Sequence, residues 1–423
     1  MQEQATQKGI TEESWITGFI QSIIPSQLNT GARLFLSGAV LNGISNGVFN
    51  SVMQLYLITL GFNAADLGKI AMFNPLACAL LSIPCGIAGD RYGKRRLLLL
   101  GFVAVTLGVS IFIFAHSLTL FALAFFMFGI SNASGTVITP IYTSFYNKQD
   151  LEKAFGLYGF INISAMSLGS LAGYIPAYLI SNHGFTEYSS YRNVMMIASS
   201  LFLAQYLFYL ASIRGIEEKR SNRIQLMLRS WKPVMKFSTL TLLGNIAGGI
   251  LFALFPYYVY QKYGVASAGI GTLFFISNLT MAISKGLAAS VANRLGNMKS
   301  IVVGLALSSI FFFLMPLSQT FGILCVLYVL RSGTRFMSDP IITSFFMKSI
   351  EEEEQSTANS IRTISMNGSG VISSWLGGFL MENVGIDSPA YLGAGLTFLL
   401  AGLYPILLRN EISENSTSVN STN

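Results

Sequence analysis

The chain has 423 residues, of which 52% are hydrophobic and only 11% are charged. A soluble domain carries about 25% charged residues, so this composition indicates an integral membrane protein and leaves no room for a large soluble domain. The formal net charge of +7 would suit a nucleic-acid-binding protein as well as a membrane protein. The positions of the cations along the chain decide between the two.

The first 30 residues form a tail ahead of the first predicted span. The tail lacks the basic start, short apolar run and small-residue cleavage site of a signal peptide, so we expect it to stay attached. After Glu12 and Glu13, apolar residues at helical spacing favour a helix lying in the membrane interface, with a disordered tail as the alternative. These residues are Trp15, Ile16, Phe19, Ile20, Ile23 and Ile24.

Apolar stretches recur along almost the whole chain, and roughly 20 such residues cross a hydrocarbon core of about 30 Å. We predict an all-α integral membrane protein with about twelve transmembrane helices. We number them as spans 1 to 12, at residues 34–60, 67–88, 97–115, 118–146, 155–180, 194–213, 234–260, 270–292, 301–317, 321–346, 357–381 and 391–408.

The longest predicted cytoplasmic connection separates six spans from six. It mixes cations with apolar residues, which favours a linker with a helix on the lipid surface. The predicted domains are an N-terminal tail (1–30), a first six-helix half (31–213), a cytoplasmic linker (214–233), a second six-helix half (234–408) and a disordered C-terminal tail (409–423).

The cations are distributed unequally between the two sides of these spans. Connections after even-numbered spans and their flanks hold sixteen lysines and arginines, against Lys69, Arg192 and Lys262 on the other side. This positive-inside asymmetry predicts that both termini are cytoplasmic in a multi-pass protein of the cell membrane. The basic charge therefore reports topology, and nucleic-acid binding gains no support.

Several stretches of the first half recur in the second at a nearly constant offset. TPIYTSFYNK (139–148) and DPIITSFFMK (339–348) share Pro, Ile, Thr, Ser, Phe and Lys at the same positions. Asn42 and Asn245 are separated by 203 residues, as are Asp90 and Asn293. Such a repeat predicts two pseudo-symmetric halves with a substrate site between them near the midplane.

The connection between spans 2 and 3 combines glycines, one acid and three cations in the stretch GIAGDRYGKR: Gly86, Asp90, Arg91, Gly93, Lys94 and Arg95. This stretch reproduces the G-x-x-x-D-[RK]-x-G-[RK]-[RK] pattern of the major facilitator superfamily. With the span count, the central linker and the repeat, the chain resembles that superfamily over nearly its full length. The resemblance implies a secondary transporter whose two halves rock about a central site.

The same resemblance implies that Asp90 is a latch, holding the halves together in the outward-open state through the start of span 11, near residues 356–358. Gly86 and Gly93 would allow a close helix approach and a tight turn. The simpler interpretation of the cations, above all Arg95, is that they only fix orientation. The second copy has Asn293 in place of the acid, so a symmetric charged latch is not expected.

An ionisable residue at mid-membrane costs roughly 2.5–3.5 kcal/mol on insertion scales and is a functional candidate by default. Span 10 carries Arg331, Arg335 and Asp339 at four-residue intervals on one helix face. Two interpretations stay open: Asp339 pairs with Arg335 for structure or gating, or an unpaired arginine binds an anionic group of the substrate. Two cations against one acid leave positive charge over.

Span 1 carries amides at four-residue intervals: Asn42, Asn46, Asn50 and Gln54. Facing lipid would leave them without partners, so we expect them to face a cavity, where they bind substrate or neighbouring helices. A further set extends this predicted lining: Asn162, Asn245, Asn278, Tyr142, Tyr257 and Tyr258. Lys285 and Arg362 lie within a few turns of the cytoplasmic face and are expected to snorkel to it.

We predict a secondary carrier of a small organic solute, with an anion favoured by the arginines, that works as a monomer in a lipid bilayer. If a proton drives it, Asp339 is the strongest candidate for the titrating group. One alternative is a multidrug/proton antiporter, which the lack of an arginine in span 4 and of a Gly-Pro pair in span 5 weakens. The other is a membrane sensor that has the fold but does not transport.

The sequence shows no nucleophile with a base, no phosphate loop and no Cys/His cluster at ligand spacing. Its three cysteines, Cys78, Cys85 and Cys325, all fall within spans. We therefore predict no enzyme activity, no catalytic residue, no cofactor and no metal site.

Overall fold

The computed structural model describes Pro25 and residues 28–147, 150–214, 230–350 and 354–408, except for the side chains of Asp90, Glu152, Ala289, Lys348 and Ser356. Three predictions lie outside these residues: the interfacial helix of the N-terminal tail, the lipid-surface helix of the linker and the disorder of the C-terminal tail.

The first half contains six helical spans. Spans 1 to 3 are Thr30–Thr59, Ala64–Tyr92 and Lys94–Phe114. Span 4 consists of Leu118–Ser134 and Ile138–Thr143, joined by the 3₁₀ turn Gly135–Val137, and span 5 consists of Leu151–Ser170 and Tyr174–His183, joined by the 3₁₀ turn Leu171–Gly173. Span 6 is Glu187–Ser212. Asparagine side chains cap the first two helices, with Asn29 accepting from the Ala32 N–H and Asn63 from the Asp66 N–H.

The second half repeats this order. Span 7 consists of Trp231–Phe252 and Phe255–Tyr263, and span 8 is Ser267–Leu295. Span 9 is Asn297–Leu314 with the 3₁₀ turn Met315–Leu317, and spans 10 to 12 are Phe321–Lys348, Gln355–Asn383 and Ser388–Leu407. The predicted fold of about twelve transmembrane helices is confirmed.

Three of the spans are more polar than the others. Within the described residues, nine helices are long and apolar enough to cross a membrane, and spans 1, 10 and 11 are not among them. These three helices are 28 to 30 residues long, so their polar side chains, not their length, set them apart. Polar groups at membrane depth need partners or a water-filled cavity, so these three spans are the candidates for lining a binding site.

The two halves use the same helix pairings. Span 1 packs against spans 5 and 6, and span 4 against spans 2 and 3. In the second half span 7 packs against spans 11 and 12, and span 10 against spans 8 and 9. The halves meet where span 2 lies along span 11 and span 5 against span 8. An exchange of the two halves leaves this set of pairings unchanged, as a pseudo-twofold axis requires.

The tight turns follow the same repeat. The glycines with positive φ in the described chain form three pairs, each at nearly the same offset: Gly61 with Gly264, Gly93 with Gly296, and Gly184 with Gly385. Gly93 has φ +100° and ψ 145°, and Gly296 has φ +84° and ψ 150°. Residues with a Cβ rarely adopt this backbone conformation, so the turn of the GDRYG stretch requires glycine in both copies.

The halves are held together near one face of the molecule. We call the face where span 1 begins and span 12 ends the terminal face, and the other the opposite face. Several hydrogen bonds join the halves towards the opposite face. Ser267 Oγ donates to the Gly173 carbonyl (2.7 Å), Ser167 Oγ donates to the Phe275 carbonyl (3.0 Å), and the Tyr174 hydroxyl lies 2.9 Å from Thr272 Oγ1.

Glycines allow this close contact. A Cβ on Gly173 would overlap the Ser267 carbonyl oxygen, and one on Gly271 would overlap the Ser170 carbonyl oxygen. At the seam of spans 2 and 11, a Cβ on Gly68 would lie 3.0 Å from Gly378 Cα. Small residues give membrane helices their closest packing. This conformation is therefore closed at the opposite face.

The turn geometry predicts a position-specific effect on stability. Gly296→Ala should lower the free energy of unfolding by about 1–3 kcal/mol, because alanine is strained at φ +84°. Gly286→Ala is the matched control in the interior of span 8, where an added Cβ meets no atom within 4 Å and alanine favours the helix. Thermal unfolding of both variants in detergent checks this, and an equal fall in the two midpoints would contradict the assignment.

Candidate functional site in the second half

A cavity of about 700 Å³ opens among spans 7, 8, 10, 11 and 12, and every described residue that lines it belongs to the second half. Its charged lining residues in the described chain are Lys285, Arg331, Arg335, Arg362 and Asp339. Four cations thus face one carboxylate, which leaves three positive charges in excess, and we call this cavity the basic cavity. A pocket of this size suits a small organic molecule, and its charge suits an anion.

Arg335 and Asp339 form an ion pair one helical turn apart, with Arg335 Nη1 donating to Asp339 Oδ1. The Asp339 side chain is 35% exposed, so the pair borders open space in the cavity. The ion pair that the sequence spacing predicts is thus present. Whether it gates the transporter stays a prediction.

Arg331 is the most deeply buried of the cations, with only 4% of its surface exposed. Its guanidinium carbon lies 3.8 Å from the Phe252 ring centroid and 4.4 Å from that of Phe312. Nε has no hydrogen-bond partner among the described residues, and Arg331 joins none of the ion pairs that they form. Cation–π contacts with desolvated rings contribute about 2 kcal/mol, and they leave the guanidinium able to bind an acid.

Glycines of span 7 make room for the arginines. A Cβ on Gly248 would lie 3.6 Å from Arg331 Nη2, and one on Gly244 would lie 3.8 Å from Arg335 Nη2. Larger side chains at these two positions would fill the space that the guanidinium groups occupy.

Lys285 and Arg362 also line the cavity, although the sequence analysis expected them to snorkel. Lys285 Nζ lies 5.5 Å from the Phe336 ring centroid. Arg362 Nη2 donates to Thr343 Oγ1 over 3.3 Å, and its Nε has no partner in the described structure. Both side chains belong to the basic cavity, and the position of a residue along a span could not show towards which side it points.

The predicted amides separate into three groups. Asn46 Nδ2 donates to Asn42 Oδ1 (3.1 Å), and Asn162 Nδ2 donates to the same oxygen (3.3 Å), so these three bind one another within the first half. Asn245 lines the basic cavity and donates to the Thr241 carbonyl. Asn50 lines a second cavity between the halves, together with Gln54 and Asn278.

Gln54 bridges the halves at a break in span 7. Its Nε2 donates to the Ala253 carbonyl (2.7 Å), and its Oε1 accepts from the Tyr257 N–H (3.0 Å). Pro256 stands in the first turn of the second helical piece and lacks an N–H, which explains why the helix breaks just before it. One side-chain amide thus satisfies two backbone groups that the break exposes.

The GDRYGKR stretch lies at the terminal face. Lys94 Nζ donates to the Pro140 carbonyl (3.3 Å), which ties the turn to span 4. The close approach that was expected at Gly86 occurs at Gly89, where a Cβ would lie 2.6 Å from Val137 Cγ1, while a Cβ on Gly86 meets no atom within 4 Å. The side chain of Asp90 is outside the described residues, so its role as a latch stays a prediction.

The three predicted tyrosines pack away from both cavities. Tyr142 and Tyr258 are almost fully buried and donate to the Ala154 carbonyl and to Asp387 respectively. Tyr257 is also buried and meets Gln54 through its backbone N–H. The described residues contain no cluster of three side chains that could hold a metal ion.

Sequence reasoning missed the polar face of span 11. Asn367, Ser369 and Ser373 line the basic cavity, whereas the span pattern predicts the stretch STANSIRTISMNGSG (356–370) only as the start of another apolar span. The signal was available, because Thr363 and Asn367, and Ser369 and Ser373, recur at four-residue spacing and so lie on the same helix faces.

Comparisons with known proteins agree with this architecture. The family model described as Major Facilitator Superfamily matches residues 35–240 and 237–422. An uncharacterized MFS-type transporter of Methanocaldococcus jannaschii is 23% identical over 80% of this chain and 88% of its own length. The class B tetracycline resistance protein of Escherichia coli is 21% identical over 82% of this chain and 87% of its own. A solved bacterial homologue of the iron transporter ferroportin, in the inward-facing state, superposes with a TM-score of 0.73 at 13% identity and covers 90% of this chain and 99% of its own.

The charge of the cavity predicts a selective reactivity. In a chain whose native cysteines are replaced by serine, Asn367→Cys should react about fivefold faster with an anionic methanethiosulfonate than with a cationic one, because three excess positive charges attract the anion. Rates are normalised to Ser181→Cys, an exposed position outside the cavity. Equal normalised rates would contradict the basic character of the cavity.

Proposed function

Because this chain belongs to the major facilitator superfamily of transporters, we propose that it carries a small organic anion across the membrane by alternating access of its two halves. The observation that carries this proposal is the basic cavity, where four cations face one carboxylate and the most buried of them, Arg331, has no acidic partner in the described chain. We further propose the cell membrane as its location, with both termini in the cytoplasm, as the positive-inside asymmetry predicts.

The energetics of burial support an anion as cargo. A buried cation without a counter-ion is unfavourable, and an incoming acid group relieves this cost while it forms charge-assisted hydrogen bonds. A cationic cargo would instead add to the excess of positive charge. The cavity therefore binds an anion more tightly than a neutral or cationic compound of the same shape.

The conformation supports one half of a transport cycle. The hydrogen bonds of Ser267 and Gln54 between the halves close the opposite face, and in the proposed cycle cargo enters or leaves at the terminal face. With cytoplasmic termini, this conformation faces inward. The outward-open state requires that these hydrogen bonds break and that the halves meet at the terminal face, where the predicted latch at Asp90 lies.

The ion pair offers a means of coupling. Asp339 and a bound anion compete for Arg335, and protonation of Asp339 would release Arg335 to the anion. A proton-coupled cycle through Asp339 stays a prediction.

Drug export is the second candidate function. Two relatives are named as resistance proteins, for tetracycline in Escherichia coli and for quinolones in Staphylococcus aureus. The excess positive charge of the cavity opposes an exporter of cationic compounds, so the charge preference of the bound ligand distinguishes the two functions.

Removal of one cation should weaken anion binding selectively. A thermal-shift screen with mono-, di- and tricarboxylates, phosphate esters and matched neutral and cationic compounds identifies the best anion for the purified chain. Arg331→Gln should then bind it roughly 10- to 100-fold more weakly, because a charge-assisted hydrogen bond contributes about 1.5–3 kcal/mol. Arg96→Gln, which removes an exposed cation outside the cavity, should bind it as the parent does.

Uptake of that anion into proteoliposomes completes the test. Arg331→Gln should lose uptake that the Arg96→Gln control retains, and comparison of Asp339→Asn with the parent, with and without a pH gradient, tests the coupling. Stabilisation of the parent by cationic or neutral compounds alone would contradict the proposal.

A further inference from the structure

A second cavity, of about 420 Å³, adjoins the basic cavity. It lies between the halves and takes its lining from spans 1, 2, 4, 5, 7, 8 and 10. Phe252, Ala253 and Tyr328 line both cavities, so one molecule can extend from the first into the second. We call the second cavity the inter-half cavity.

The described residues that line the inter-half cavity are all uncharged. Four phenylalanines and two methionines form much of its wall: Phe49, Phe125, Phe252, Phe274, Met53 and Met166. Amides of Asn50, Asn74 and Asn278 enter from spans 1, 2 and 8. Within the described chain, the side chains of Asn50 and Asn278 make no hydrogen bond. Aromatic walls with free amides suit a planar, neutral group that can donate and accept hydrogen bonds.

Phe252 connects the two environments. The Arg331 guanidinium packs against the Phe252 ring in the basic cavity, and the same side chain also lines the inter-half cavity. Tyr328 lies one turn before Arg331 and stacks on Phe255, with ring centroids 4.6 Å apart. An acid group bound to Arg331 therefore directs the rest of its molecule towards the inter-half cavity.

The charge excess indicates the valence of the acid group. Three positive charges remain after the pairing of Arg335 with Asp339, so a monoanion would leave two of them uncompensated. A phosphate monoester carries about two negative charges at neutral pH and three acceptor oxygens, which can contact several of the cations together.

We infer, on the basis of the proposed function, that the cargo is an organic dianion of the phosphate-monoester type. Its planar, uncharged body occupies the inter-half cavity.

The uncharged body of the cargo also has a role in transport. Among the described residues, the basic cavity is lined by the second half alone, whereas the inter-half cavity is lined by both halves. A ligand shifts a conformational equilibrium only through contacts that differ between the states. Inorganic phosphate, which has no body, therefore binds without being carried.

The test compares four probes on the full-length protein. 4-Acetamidophenyl phosphate has both parts, inorganic phosphate lacks the body, 4-acetamidobenzoate has a single charge, and 4-acetamidophenol is neutral. We expect the phosphate ester to bind at least about tenfold more tightly than either anion, a difference of 1.4 kcal/mol. The phenol should not bind measurably. Uptake into proteoliposomes should occur for the ester and not for inorganic phosphate.

Two variants separate the parts of the site. Asn278→Leu should reduce the advantage of the ester over inorganic phosphate and leave the affinity for phosphate unchanged. Arg362→Gln should weaken both phosphates together. Because Asn278 has no side-chain partner in the described chain, its replacement should not impair folding, and the thermal midpoint without ligand checks this.

Each outcome has one meaning. If inorganic phosphate binds as tightly as the ester or is carried, the inter-half cavity does not hold the body, and the inference fails while the proposed anion transport survives. If the benzoate equals the ester, the dianion assignment fails. The proposed function itself fails if the neutral phenol binds as tightly as the ester. It also fails if no anion binds at concentrations up to about 20 mM, roughly 20-fold above a Kd of 1 mM.

Discussion

A guanidinium group at membrane depth must be compensated, and this requirement organises the second half of the protein. Asp339 compensates Arg335, while Arg331 has two phenylalanine rings and the space that Gly248 leaves open. The remaining charge is confined in one cavity among membrane-spanning helices, where the low-dielectric surroundings strengthen its attraction for an anion. Burial of these cations is costly, and a ligand that completes their coordination explains why the arrangement is useful to a transporter.

The fold is pseudo-symmetric, but the site within it is asymmetric. Both halves share their helix pairings and their glycine turns. The described cations that line the cavity nevertheless belong to the second half alone, since span 4 has Ser131 and Gly135 where span 10 has Arg331 and Arg335. The first half contributes instead to the contact between the halves, where Gln54 caps the break in span 7. In the proposed cycle one half therefore holds the charge of the cargo, and contact between halves determines which face is open.

The fold was largely predictable from the sequence, because hydrocarbon thickness dictates span length and the repeat relates the halves. The Arg335–Asp339 pair was also predictable, since its spacing is one helical turn. The inward orientation of Lys285 and Arg362 was not, because the rotation of a helix about its own axis depends on packing against its neighbours. The break in span 7 had a signal in Pro256, but its cap by Gln54 joins residues 203 positions apart and needs the assembled halves.

The central claim is that the cavity of the second half is an anion site, and the position of a bound anion tests it most directly. Anomalous diffraction from crystals of the full chain soaked in selenate measures that position. The account predicts a selenium peak within hydrogen-bonding distance of the Arg331 guanidinium and of at least one further cavity cation, Arg335 or Arg362. Peaks confined to exposed cations of the terminal face, such as Arg91 and Arg96, would contradict it.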